Sequence, residues 1–373
     1  MTRLGPIYLL ACLLLSSCTG SAPRAPAGAA PGEGASSGAS RGAAAPAQSA
    51  PTPPAAVAPP PQQTVRLAHV GSYTAWKVAY DRGYMKEEGI GVEEVIFDTS
   101  TRMLPALAQG QIEAATGGIA AGLFNAMAQG IPVRITLDVW TAAPGNQAGG
   151  LYVRKELVDD GQIRTMADLR GRRIGITSFG HATELALHRG LQQVGLSIDD
   201  VEPVELSYPD MNVALSNKTI DGAITIEPFG TQALGRGIAA RFKPWPELIL
   251  NDTVAMLLFS QDFAEKQTET AKRFSKAYVR GLRDYYEMGS LGKDREWLND
   301  AIVKNTTLKD RAVVAEMPIT AVNPDGYVNR DAISAAQDWF FERGYVSRKV
   351  DLDQIIDPQF ADYAVAQLGS YRR

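Results

Sequence analysis

From Val65 onward, short apolar runs alternate with longer stretches in which apolar residues recur at three- and four-residue spacing. VRLAHV, VEEVIF and QIEAAT are apolar runs too short for a helix and predict strands; TAWKVAYDRGYMKEE and TRMLPALAQ between them carry helical spacing and close at glycine. The order returns further on as GRRIGIT, ATELALHRGLQQVG, VEPVEL, MNVALSNK and IDGAITI. Strands separated by helices of this length predict an α/β chain with mainly parallel sheets covered by helices on both faces.

Within that alternation one phrase occurs twice. LAQGQIEAAT (107–116) and LSNKTIDGAI (215–224) align so that Ala106, Leu107, Gly110, Ile112, Glu113 and Ala115 fall on Ala214, Leu215, Lys218, Ile220, Asp221 and Ala223. Upstream, Arg82 and Gly83 fall on Arg189 and Gly190, and Gly89 on Gly195 after a one-residue gap. Any helix-to-strand turn favours Gly, Ile and Ala, but agreement in element order as well favours two similar lobes over coincidence. LYVRKE and TVAMLLFS are the expected crossing strands, giving lobe one as about 64–156 and 258–373 and lobe two as about 157–257. Ligands of open parallel sheets bind at the carboxyl ends of the strands, so two such lobes predict a cleft site with hinged closure around a ligand. The helical stretches at the C-terminus are expected to pack on lobe one, with Trp339, Phe340 and Phe341 as a buried face.

The first residues read differently. Arg3 precedes the apolar run Ile7 to Leu15 and then Ser16, Ser17 and Cys18, the three-part form of a secretory leader, too short to span a bilayer. Leu15-Ser16-Ser17-Cys18 also resembles a bacterial lipobox, which would make residues 1–17 the leader and Cys18 a lipidated (palmitate-bearing) N-terminus; the alternative is a soluble secreted protein cut nearby. Residues 18–63 are almost all Ala, Pro, Gly, Ser and Gln and carry too little apolar surface to fold. As a flexible coil this stretch would span roughly 35–40 Å, a tether. The folded domain is then 64–373.

With 373 residues and 45% hydrophobic content, the chain can bury ordinary cores. Its net charge of −4 is interspersed, which argues against nucleic acid as a partner. Cys12 and Cys18 are the only cysteines, so the folded part has neither disulfide nor thiolate chemistry. His69, His181 and His188 lack metal-ligand spacing, and no Ser/His/Asp order, phosphate loop or paired catalytic carboxylates occurs; no cofactor is expected.

VAYDRGYMKEEGI, QIEAATGG, TMADLRGRRIGI and IDGAITIEPFG, in this order and spacing, resemble the bacterial ABC-importer solute-binding proteins of the nitrate, sulfonate, taurine and thiamine-precursor type. The resemblance runs from about Val65 to the C-terminal helices. It implies a two-lobe type II periplasmic-binding fold, a monomer delivering a small molecule to permease and ATPase subunits, a place on the extracytoplasmic face of the cell membrane, and no reaction.

Strand ends nominate the ligand contacts. In lobe one these are Gly71, Ser72 and Tyr73, with Trp76 close behind; Ser100, Thr101 and Arg102; Gly117 and Gly118; and Trp140 with Thr141. In lobe two they are Ser178, Phe179, Gly180 and His181, then Tyr208, Asp210 and Glu227. Gly117 and Gly118 are read as opening the helix IAAGLFNAMAQG, with N–H groups free for a ligand oxygen or, equally, as a plain cap. Tyr73, Trp76, Trp140, Phe179 and Tyr208 together suggest walls for a flat ring, although each alone is an ordinary packing residue and Trp76 suits the core. Glu227 could accept from a ligand or serve as an ion-pair partner near the hinge; Asp210 could be only a helix N-cap. Arg102 is the one cation at a strand end, few for an anion site. The expectation is therefore a neutral heteroaromatic solute, a vitamin or precursor, with riboflavin favoured because HVGSYTAW departs from the Trp, Asn and His pattern of the thiamine-pyrimidine binders. An aliphatic sulfonate, taurine or nitrate is the alternative. Readings of another class are a ligand sensor and an enzyme similar to the fungal thiamine-pyrimidine synthase, whose cysteine-rich iron site this chain lacks.

Overall fold

The computed structural model describes residues 62–372 apart from 72, 98, 99 and 132, and apart from the side chain of Thr101. The leader, Cys18, the tether up to residue 61 and Ser72 lie outside the described residues. In chain order the strands are β1 (Gln63–His69), β2 (Ile90–Ile96), β3 (Ala114–Gly118), β4 (Val133–Thr141), β5 (Gly150–Arg154), β6 (Arg173–Ile176), β7 (Glu202–Glu205), β8 (Gly222–Thr225), β9 (Ala239–Pro244) and β10 (Thr253–Ser260). They form two five-stranded sheets, ordered β2-β1-β3-β10-β4 and β7-β6-β8-β5-β9. In each sheet the first three strands are parallel, and β10 or β5 runs antiparallel to both of its neighbours.

Sheet membership moves the expected lobe boundaries. β5 pairs only with strands of the second sheet and β10 only with the first, so the chain crosses between lobes at 142–149 and 245–252 rather than near 156 and 258. The two crossing segments bond to each other: Ala142 N–H donates to the Asp252 carbonyl at 2.9 Å and Asn251 N–H to the Ala142 carbonyl at 2.8 Å.

The repeated phrase has the same structure twice. β1 meets β3 with Leu67 opposite Ala114, and β6 meets β8 with Ile174 opposite Gly222, the register implied by the sequence alignment. The turn before each third strand closes identically, by Gly110 N–H to Leu107 and Gln111 N–H to Ala106 in lobe one, and by Lys218 N–H to Leu215 and Thr219 N–H to Ala214 in lobe two. Gly110 (φ +65°) and Lys218 (φ +60°) both sit in the left-handed region. The upstream match is only partly structural. Gly89 and Gly195 both have positive φ, but Gly83 breaks the expected helix TAWKVAYDRGYMKEE into Ala75–Asp81 and Tyr84–Glu87, whereas Gly190 lies inside the helix Ala182–Gln192.

Lobe one is backed by the helix Thr268–Ser290, whose apolar stripe Phe274, Tyr278 and Leu282 is buried against the sheet. Gly281 allows close approach of the helix Ala75–Asp81, since a Cβ would lie 2.3 Å from the Ala75 carbonyl. Phe259 meets Phe263, Phe274 and Phe360 edge to face at 5.0–5.9 Å, an arrangement the ring quadrupoles favour. Trp339 and Phe340 are buried as expected, but Phe341 is 43% exposed, because the chain turns at Arg343 and that helix presents its other face to solvent.

Candidate functional site

Two strand-to-helix turns face each other across the lobes. In lobe one, β3 ends at Gly118 and the helix Ala121–Ala128 follows; in lobe two, β6 ends at Ile176 and the helix Ala182–Gln192 follows His181. The turns are joined reciprocally. Ala121 N–H donates to the Gly180 carbonyl at 2.7 Å, Ala182 N–H donates to the Ile119 carbonyl at 3.0 Å, and Ala120 and His181 form an antiparallel bridge. Each of these helices therefore satisfies a first-turn amide with a carbonyl from the other lobe.

His181 is the centre of the contact. An added Cβ on Gly118 would lie 2.9 Å from His181 Nε2, so glycine is required there for the lobes to meet. Thr177 Oγ1 lies 3.0 Å from His181 Nδ1 and 2.9 Å from Thr183 Oγ1, while Thr177 N–H donates to Thr183 Oγ1. Burial pushes the imidazole pKa down to about 4, so the ring is neutral near pH 7. A Thr177 hydroxyl that donates to Nδ1 would leave Nε2–H facing Gly118 as an uncharged donor. Glu184, also buried, accepts Gly180 N–H at 2.7 Å and the Tyr345 hydroxyl at 2.9 Å; its pKa is raised by desolvation. Ser100, Gly117, Gly118, Ala120 and Leu123 help line a cavity of about 10 Å³ beside this contact, room for one water-sized group.

The structure brings Ser100, Gly117, Gly118, Gly180 and His181 together, as nominated. Gly117 and Gly118, however, end β3 and pair with Met256 and Ala255 rather than opening the helix, whose N-cap is Ala120. Their lack of a side chain leaves space for Ser100 and His181. Phe179 is 47% exposed beside this turn. Tyr208 stacks on Phe229 at 5.9 Å, and its pKa is raised by burial.

Several nominated residues belong to other structures. Tyr73 is buried and its hydroxyl donates to Asp81 at 2.7 Å; Trp76 is packed in the core of lobe one against His69. Trp140 is buried at the crossing, edge-on to Trp245 at 5.2 Å. Glu227 is taken by Thr231 N–H and, within its lobe, by Tyr152 and Arg241, the ion-pair role already open to it. Asp210 is not the N-cap: the helix begins at Tyr208 behind Ser207, and Asp210 accepts the Ser207 hydroxyl. Arg102 is exposed. His69 is structural, with Nδ1 accepting Gly71 N–H and Nε2 bonded to Glu94. Thr177, Thr183, Glu184 and Tyr345 were not anticipated. The TE pair opening the ATELALHRG helix was a legible sign for two of them, and nothing local marked Tyr345.

Residues 69–288 match the NMT1/THI5-like family. The chain is 27% identical over 270 residues to a "Putative aliphatic sulfonates-binding protein" of Escherichia coli strain K12, across 70% of this chain and 78% of that protein. It is 28% identical over 227 residues to a taurine-binding periplasmic protein of the same strain, across 59% of this chain and 66% of that protein, just under two thirds of its length. The alkanesulfonate-binding protein of Xanthomonas axonopodis pv. citri bound to MOPS superposes with a TM-score of 0.65 at 21% identity, covering 80% of this chain and 99% of that one. With the family match spanning more than half of its residues, this chain belongs to the NMT1/THI5-like family and has the two-lobed fold of the periplasmic binding proteins.

Proposed function

We propose that this protein captures a small organic sulfonate outside the cytoplasm and delivers it to the permease of an ABC importer, held at the membrane by a lipid on Cys18. The observation that carries the reading is the sequence likeness to the two relatives named for aliphatic sulfonates and for taurine. The facing turns supply suitable chemistry. When the lobes part, the amides of Ala121 and Ala182 lose their reciprocal carbonyls and face the cleft at helix N-termini, where the helix dipole favours an anion. The Ser100 hydroxyl and, with Thr177 donating to Nδ1, the Nε2–H of the neutral His181 imidazole add uncharged donors, so a sulfonate is held by hydrogen bonds without a cation. The flat-ring reading loses its basis, because Tyr73, Trp76 and Trp140 are committed to packing and only Phe179 and Tyr208 remain near the turns. No catalysis belongs to this role.

The test is thermal unfolding of the purified protein with taurine, alkanesulfonates, nitrate and riboflavin. A sulfonate at a hundred times its dissociation constant stabilises by about 2.7 kcal/mol and raises the midpoint accordingly. A shift with riboflavin alone sinks the proposal. Cys18→Ser should release the same protein from the membrane fraction, and retention there would argue against the anchor.

A further inference from the structure

The end of the helix Arg330–Glu342 and the loop after it touch both lobes. On lobe one, Asn125 Nδ2 donates to the Tyr345 carbonyl at 2.6 Å, Ser347 N–H donates to Asn125 Oδ1 at 3.1 Å, and the Arg348 guanidinium donates to the Ala128 carbonyl. All three acceptors or donors lie on or just after the helix Ala121–Ala128, whose N-terminus meets the other lobe. On lobe two, Arg343 makes two bonds to the Asp199 carboxylate at 2.8 and 3.0 Å, the Tyr345 hydroxyl donates to Glu184 Oε1, and the Trp339 indole stacks on His188 with centroids 5.0 Å apart. Around Gly180, a Cβ would come 3.0 Å from the Ala121 Cβ and 3.4 Å from the Tyr345 Cγ, so lobe one and the loop both pack closely on this turn.

We propose that residues 339–348 form a latch that holds the lobes closed, and that Tyr345 is a positioning residue for the turn carrying His181. The path is short. Tyr345 bonds one oxygen of Glu184, the other oxygen bonds Gly180 N–H, and the Gly180 carbonyl receives Ala121 N–H from lobe one. The crossing segments alone would leave the lobes free to rotate about one seam; this loop adds a second attachment, and opening must break it. Arg343 to Asp199 is an exposed pair and weak alone. Its effect comes through the network, because a buried carboxylate that loses one of its two donors is left underpaired. The latch deepens the solute-capture reading, on which its role in gating access to the cleft rests.

Hydrogen exchange of the full chain without ligand tests it directly, since the amides of Ala121 and Ala182 are protected only by the contact between lobes. Arg343→Ala combined with Tyr345→Phe should speed exchange at these two amides by about tenfold while the helix Thr268–Ser290 is unaffected. Asp199→Asn, which breaks the same pair from lobe two, should act in the same direction and guards against a misfolded double variant. Unchanged exchange at Ala121 and Ala182, or equal acceleration in the Thr268–Ser290 helix, overturns the latch. Binding is read separately. Accelerated exchange in a protein whose midpoint no sulfonate moves keeps the latch and removes the sulfonate reading.

Discussion

In lobe one the Glu113 carboxylate accepts the main-chain N–H of Arg66 at 2.8 Å and grips the guanidinium of the same residue. In lobe two Asp221, one methylene shorter, accepts the N–H of Arg173 at 2.9 Å but takes its guanidinium from Arg154 on β5. The backbone bond is the same in both; the ion pair is not. A shorter side chain still reaches the neighbouring strand's amide but not around to that residue's own guanidinium, and the crossing strand supplies another. What the repeat preserves is therefore strand registration, and the residues that recur most visibly lie at the opposite ends of the strands from the cleft. The lobes diverge where they face each other, with glycine at 118 on one side and histidine at 181 on the other.

That divergence sets the largest expected effect. His181 is neutral in the fold with a pKa of about 4 against an ordinary 6.5. Its contribution to stability is whole above pH 6.5 and declines as pH falls towards 4, because the unfolded chain takes up the proton first; the full loss is about 3 kcal/mol at 1.36 kcal/mol per unit. His181→Gln should flatten the acid side of a denaturant-midpoint series from pH 7.5 to 4 relative to the unmodified protein. An identical slope in both proteins would mean that the imidazole is not sequestered.

Next in size are the matched carboxylates. Glu113→Ala and Asp221→Ala each remove the acceptor of an arginine amide and one acceptor of a guanidinium, which keeps the Gly110 carbonyl in lobe one and Glu156 in lobe two, and each should destabilise by about 2 kcal/mol in urea unfolding. A large cost in one lobe and none in the other would show that the repeat is not one device used twice. The smallest effect concerns the left-handed turn. Lys218 holds a φ that glycine adopts freely at position 110, so Lys218→Gly should stabilise by up to about 1 kcal/mol despite losing the exposed contact of Lys218 with Glu156. A lower melting midpoint for that variant would give the ion pair the greater weight.

The order of strands and helices, the two lobes and their internal register were legible because each rests on local spacing: LAQGQIEAAT and LSNKTIDGAI encode both a turn and a strand entry. The site was legible as a set of turns but not as a set of side chains. Strand ends place Gly117, Gly118 and His181 at the contact between the lobes, yet the direction of a ring depends on what packs behind it. Tyr73 turned to Asp81 at the end of the next helix, and Trp140 to Trp245, far along the chain, where each could be buried. Lobe boundaries missed by several residues for a related reason. LYVRKE and TVAMLLFS were recognised as strands, but only pairing reveals which sheet a strand joins. Tyr345 was out of reach altogether, since its partner Glu184 stands far away along the chain and no pattern near either residue hints at the other.

The position of β10 has a consequence for how the protein comes into being. It lies between β3 and β4 in the first sheet, yet it is made after all of lobe two. A chain emerging from its N-terminus carries β1 to β4 with no strand to join β3 to β4, and the sheet stays split until Thr253–Ser260 arrives. Such late, long-range pairing is slow. For the export that the proposed role requires, that delay is a period in which most of the chain is synthesised but not yet folded, the state in which a polypeptide can still be threaded through a membrane.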